Sequence, residues 1–223
     1  MMRLLAIDTS TWWGVAALVE TADGGPRLIA EIGLRVEDSH AAHALAIVEA
    51  LLAAAAWDKS SLDAYVAVRG PGSFTGIRVA MGLARGLGLA ARRPCIGIGT
   101  LDAMAEAFGP ASAERVPLLD AGRGEVYGAR FDAASTPPRA LEEPWVRTPE
   151  AVLAGGPGIV FGSGAERHGE ALRAAGYREV IGRPPTSVAA GAARIASSLP
   201  VDTGDRDFTP LYVRPADAEL PRR

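Results

Sequence analysis

Twice along the chain a short apolar run ends on an aspartate, turns through small or hydroxyl-bearing residues and resumes as a second run. The first copy is Leu4-Leu5-Ala6-Ile7-Asp8, then Thr9-Ser10-Thr11, then Gly14 to Val19. The second is Val116-Pro117-Leu118-Leu119-Asp120, a glycine-containing turn, then Glu125 to Phe131. Short apolar runs bounded by turn residues read as strands. Two strand-Asp-turn-strand units imply two related lobes, with a boundary near Gly109 to Arg115 and lobes expected at 1–109 and 110–223.

Between the two copies, strands alternate with helices. Asp23-Gly24-Gly25 turns into a third strand at Leu28 to Val36, and Asp38-Ser39 is expected to cap a helix from Ala41 to Trp57, with Ala44, Ile47, Val48, Leu51, Leu52 and Ala55 at helical spacing. A strand at Leu62 to Val68 leads to a helix at Phe74 to Ala91, a strand at Cys95 to Ile98, and a helix at Leu101 to Phe108 capped by Thr100. After Asp132, prolines interrupt the pattern. Helices are expected at Thr148 to Leu153, Ala165 to Ala175 and Ser187 to Ser198, with a strand at Gly158 to Phe161. The fold class is α/β.

Composition removes whole classes of function. One cysteine, Cys95, and three histidines rule out an intrachain disulfide and leave little for a metal. A net charge of -3 lacks the basic footprint of a nucleic-acid binder acting alone, and the single lysine, Lys59, removes a phosphate-binding lysine loop. No apolar run is long enough to span a membrane, so a cytoplasmic chain is expected. His40 and His43, at i and i+3, share a helix face, but two ligands are too few for a metal site.

The loop Arg69-Gly70-Pro71-Gly72-Ser73-Phe74-Thr75-Gly76-Ile77-Arg78 joins a strand to a helix, where backbone amides can hold an anion. The same residues also suit a rigid turn in which Pro71 fixes one dihedral and Ser73 caps the helix. Asp8-Thr9-Ser10-Thr11 invites the same pair of readings, but the following Trp12-Trp13 is too bulky for close approach of backbone to phosphate. The helix after the loop carries Gly82, Gly86 and Gly88, each costing about 0.5–1 kcal/mol against alanine. Close packing against another helix, of this chain or a second one, offsets that cost.

The segments Ala6-Ile7-Asp8-Thr9-Ser10-Thr11, Arg69 to Arg78 and Leu119-Asp120-Ala121-Gly122-Arg123-Gly124-Glu125-Val126-Tyr127, in this order, resemble the bacterial TsaB (YeaZ) family. The resemblance covers residue 4 to about 132 and resumes at Leu211-Tyr212-Val213-Arg214; residues 133–208 follow by position only. It implies a two-lobed fold of the actin, hexokinase and sugar-kinase (ASKHA) class, mixed sheets flanked by helices. It further implies a role in making N6-threonylcarbamoyladenosine beside the anticodon of tRNAs that read codons beginning with A. In that family the catalyst is the related TsaD, which carries the metal; TsaB pairs with it through two long helices of the first lobe, and the ATPase TsaE joins. The expectations are therefore no catalytic residue, no intrinsic cofactor, ATP, ADP and metal on the partners, and tRNA met only through the complex. A homodimer is expected when TsaD is absent. The partner face is expected at Ile47, Val48, Leu51, Ile77, Met81, Ala84 and Gly88, and a structural or vestigial phosphate loop at Asp8, Thr9, Gly70, Pro71, Gly72, Ser73 and Asp120. His40-Ala-Ala-His43 departs from the His-x-x-x-His of the catalytic relative. The alternative is an independent ATP-dependent carbamoyl- or phosphotransferase using Asp8, Gly72-Ser73 and Asp120.

Overall fold

The computed structural model describes residues 1–36, 40–155, 158–177, 179–182, 187–200 and 205–214. Its first sheet is built from β1 (Arg3–Asp8), β2 (Trp13–Ala22), β3 (Gly25–Arg35), β4 (Ala64–Val68) and β5 (Cys95–Ile98), in the order β3-β2-β1-β4-β5. β1, β2 and β3 are antiparallel because short turns join them. β4 and β5 run parallel to β1 because helical crossovers, α1 (His40–Ala55) and α2 (Phe74–Ala91), lead into them. Every residue of β4 is buried, which is why its sequence, Ala-Tyr-Val-Ala-Val, does not alternate.

Helices cover both faces of this sheet. On one, Val48 and Leu51 of α1 and Ile77 and Ala84 of α2 pack against Leu5, Ile7, Leu18 and Tyr65. On the other, Leu4, Ala6, Val19, Val66 and Ile96 meet Ala103 of α3 (Thr100–Phe108) and the alanines of α6 (Val188–Ser197).

The second sheet, in the order β10-β9-β6-β7-β8, comprises β6 (Arg115–Gly122), β7 (Glu125–Gly128), β8 (Trp145–Arg147), β9 (Ile159–Phe161) and β10 (Val180–Ile181), with α4 (Ser163–Arg167) and α5 (Gly169–Ala174) beside it. β6 and β7 repeat the antiparallel Asp-turn hairpin of β1 and β2.

The division at 109 and 110 does not extend to the end of the chain. Ala189, Ala190, Ala192, Ala193 and Ala196 of α6 are buried against the first sheet, so this helix completes the first lobe. Residues 205–214 follow it there. The Arg206 amide donates to the Cys95 carbonyl at 3.0 Å, the Gly97 amide to the Arg206 carbonyl at 2.9 Å, and the Leu211 amide to the Arg69 carbonyl at 2.6 Å. Arg214 then crosses to the β6–β7 turn, donating to the Ala121 carbonyl at 3.0 Å and pairing with Glu125.

Local differences have local causes. Thr100 does not cap α3: Gly99 stands at the N-cap position, and Thr100 is the first helical residue, buried. The helix expected over 165–175 is two short helices meeting at His168, and Glu150–Gly155 is a 3-10 segment. β8 and β10, only three and two residues long, escape pattern reading. The expected Asp38-Ser39 cap lies outside the described residues. Among the described residues no helix is long and apolar enough to cross a membrane.

Candidate functional site

α1 and α2 lie side by side on the first sheet. All seven residues expected at the partner face, Ile47, Val48, Leu51, Ile77, Met81, Ala84 and Gly88, are buried within this chain. The assignment fails on helix phase. These side chains fill the space between helices and sheet, and a Cβ on Gly88 would lie 2.6 Å from Cys95 Sγ. The outward faces carry other residues. Leu45 on α1 is 43% exposed and Leu89 on α2 is 72% exposed. Gly82 and Gly86, one turn apart on the same face as Leu89, have open space where a Cβ would stand. The helix glycines therefore divide into two kinds: Gly88 serves internal packing, whereas Gly82 and Gly86 leave a bare stripe of backbone facing outward.

The glycine loop is pinned to the first Asp turn. A Cβ on Gly76 would overlap the Thr9 carbonyl, and one on Gly72, at φ +152°, would come within 2.6 Å of the Ser10 carbonyl. The Ser73 amide donates to the Ser10 carbonyl at 2.7 Å, and Thr9 Oγ1 donates to the Gly76 carbonyl at 2.6 Å. Ser73 caps α2, its Oγ accepting from the Gly76 amide at 3.2 Å. On the other side, the Thr100 amide donates to the Gly70 carbonyl at 2.8 Å. Glycine is needed here because backbone meets backbone.

The two aspartates face one interlobe cleft in unlike states. Asp8 is 1% exposed, its Oδ1 accepting from the Ser10 amide at 2.8 Å. Asp120 accepts from the Gly122 amide at 3.1 Å and pairs with Arg167 at 2.7 Å. Arg167 carries no local sequence signal, since only the tertiary fold brings α4 beside the β6–β7 turn. Two adjoining cavities of about 720 and 510 Å³ open here, with Trp12 in the wall of both. Among the described residues no group of three or more His, Cys, Asp or Glu is arranged to hold a metal. His43 lies on α1, far in sequence from His168, which sits 3.8 Å from Asp120.

The family model for TsaD, tRNA N6-adenosine threonylcarbamoyltransferase, matches residues 34–165, over half of the chain. The chain belongs to this family. Its similar relatives include TsaB proteins and, at 35% identity over 117 residues, a tRNA N6-adenosine threonylcarbamoyltransferase from Granulibacter bethesdensis, of which the match covers 31%. It is 39% identical over 132 residues to the Escherichia coli tRNA threonylcarbamoyladenosine biosynthesis protein TsaB, a match covering 58% of this chain and 55% of that protein. The Bacillus subtilis TsaB is 32% identical over 127 residues, covering 56% and 53% respectively. The chain thus spans about half the length of the curated relatives it matches. The solved structure of YeaZ from Pseudomonas aeruginosa superposes with a TM-score of 0.76 at 27% identity, covering 95% of this chain and 100% of that one. The two mixed sheets flanked by helices are accordingly the fold of that solved YeaZ structure.

Proposed function

We propose that the chain is a non-catalytic partner subunit in the formation of N6-threonylcarbamoyladenosine in tRNA, binding the threonylcarbamoyltransferase TsaD and holding it in its active arrangement. The observation that carries this reading is the outward face of α1 and α2, where Leu45 of the one helix and Leu89 of the other are exposed and Gly82 and Gly86 leave backbone bare. Glycine inside a helix costs stability, and a second helix crossing close to that backbone offsets the cost. Two such helices from each chain form a four-helix contact. The same face is self-complementary across a two-fold axis, so a homodimer forms when TsaD is absent and competes with the heterodimer. TsaE joins the assembly, tRNA is met through the complex, and ATP, ADP and metal belong to the partner subunits.

The same face supplies the test. Gly86→Arg places a long cation on the stripe, where a Cβ meets nothing within the chain. Titrating wild type and variant against the TsaD of the same organism should show a loss of at least about tenfold, or 1.4 kcal/mol. Unchanged heterodimer and homodimer formation by a folded variant would place the interface elsewhere. The alternative of an independent ATP-dependent transferase draws less support from the cleft, since the amides of Ser10, Ser73 and Gly122 all have partners within the chain. ATP turnover by the purified chain, abolished by Asp8→Ala, would favour it.

A further inference from the structure

Two contacts between the lobes differ in what it takes to part them. The first is apolar: Leu101, Met104 and Ala105 of α3 pack with Leu119, Phe131 and Phe161 of the second lobe, and Phe108 stacks on Phe161 at 4.4 Å. Separating these side chains returns buried apolar surface to water, so this contact stays closed. The second is polar, and is made by the C-terminal segment 205–214.

The root of that segment is fixed in the first lobe. A Cβ on Gly97 or Gly70 would overlap the carbonyl of Asp207 or Leu211, so both glycines clear a path for the segment's backbone. Asp205 accepts from the Cys95 amide at 2.9 Å and pairs with Arg85 of α2 at 2.9 Å, while the Arg85 guanidinium lies 5.1 Å over the Phe208 ring. Nearer the start of α2, Arg78 Nε donates to the Tyr212 hydroxyl at 3.1 Å, and Phe74 stacks on the Tyr212 ring at 5.2 Å. The segment therefore runs antiparallel to α2, from Arg85 back to the first turn.

The far end is held differently. Arg214 reaches the β6–β7 turn with its side chain: Nη1 donates to the Ala121 carbonyl at 3.0 Å, Nη2 meets the Glu125 carboxylate, and the guanidinium stands 5.6 Å from the centre of the Tyr127 ring. The side chains of Arg214 and Glu125 are 17% and 34% exposed, so water and salt can take over both charges. Ala121 and Tyr127 line the larger cleft cavity, as do Ser73 and Thr75, the chain neighbours of Phe74.

We propose that residues 205–214 form a strap anchored in the first lobe and latched by Arg214 on the second, so that release of the Arg214–Glu125 pair lets the lobes move apart about the α3 cluster.

Spin labels on Asp23→Cys and Glu170→Cys, exposed positions in the first and second lobes, report the interlobe distance by double electron–electron resonance on the full chain; Cys95 is buried and escapes the label. Loss of one partly exposed ion pair and one cation–π contact corresponds to roughly a 3- to 30-fold rise in the unlatched fraction. Arg214→Gln removes both and should raise the longer-distance population by that factor. Glu125→Gln, on the other lobe, removes the ion pair alone and should raise it by up to about 5-fold. Raising sodium chloride from about 0.1 to 1 M shortens the screening length from about 10 to 3 Å, and should shift wild type toward longer distances while leaving Arg214→Gln unmoved. Far-ultraviolet circular dichroism should be unchanged in both variants. Distance distributions of Arg214→Gln and Glu125→Gln that superpose on wild type, or a salt response as large in Arg214→Gln as in wild type, would overturn the proposal.

Discussion

Replacing Arg115 by methionine tests how the two lobes are joined. Arg115 opens β6 and is 0% exposed. Its guanidinium serves backbone carbonyls on both sides of the lobe boundary. Nη1 donates to Ala105 and Gly109, at 3.1 and 3.2 Å, at the C-terminal end of α3. Nε and Nη2 donate to the Asp132 carbonyl at 2.9 and 2.7 Å, and Nη2 also reaches the Ser135 carbonyl at 2.8 Å. The cation thus sits at the negative end of a helix while fixing the 132–135 loop. Burial draws its pKa downward, opposed by the charges of Glu106 and Asp132. Methionine keeps an apolar stem but takes the guanidinium donors from four carbonyl groups, of which that of Ala105 retains the Gly109 amide. Hydrogen bonds to a charged group contribute about 1.5–3 kcal/mol each, and removing the ion recovers several kcal/mol of desolvation. The net loss is about 3–5 kcal/mol. For a chain of this size that lowers Tm by roughly 6–20 °C. Calorimetric or circular-dichroism melting reads the shift directly. Arg115→Lys, which retains the charge but not the fork of donors, should fall between the two. A methionine variant within about 1 kcal/mol of wild type would refute the assignment of Arg115 as the tie between α3 and the second sheet.

Other substitutions separate packing from surface. Gly76→Ala pushes a methyl into the Thr9 carbonyl and should destabilise by about 3 kcal/mol or more in urea unfolding, with no loss smaller than 1 kcal/mol compatible with the close backbone contact. Gly86→Arg should do the reverse, raising stability by about 0.5–1 kcal/mol through helix propensity while weakening partner binding; a variant that is both destabilised and weak in binding would mean that Gly86 packs internally. Burial, and secondarily the Asp205 carboxylate, push the Cys95 thiol up to about 11 from 9.0. The unfolded chain therefore loses this proton first, so the thiol's contribution is fully present below pH 9 and is lost as pH rises toward 11. Urea midpoints measured on either side of that window should diverge less in Cys95→Ala than in wild type; equal divergence would remove Cys95 as the cause.

The Asp-turn hairpins and the glycine loop were legible because their chemistry is local: Ser73 caps α2, and Gly72 and Gly76 meet the turn that begins at Asp8. The orientation of the helices was not. From His40 to Ala55, α1 carries only Glu49 as a charged residue apart from its two histidines, so an alanine-rich surface and an alanine-rich core read alike. On α2, Ile77, Met81, Ala84 and Gly88 do share a face, but the sequence cannot tell a chain's own sheet from another chain's helix as the cover. In the cleft, Asp8 and Asp120 were identifiable, whereas Arg167, which neutralises Asp120, reaches it across 47 positions of sequence.

The return of α6 to the first sheet sets an order on synthesis. One face of that sheet, with Leu4, Ala6, Val19 and Val66, lacks most of its cover, all but Ala103 of α3, until residues 188–197 have left the ribosome, although its strands are among the first made. The second sheet, by contrast, is continuous in sequence from Arg115 to Ile181 and can close while α6 is still being translated. The lobe begun first is therefore the lobe finished last. A nascent chain arrested before Val188 exposes an apolar sheet face suited to chaperone capture, whereas the few residues from Val188 to Ser197, once released, convert it to the native core.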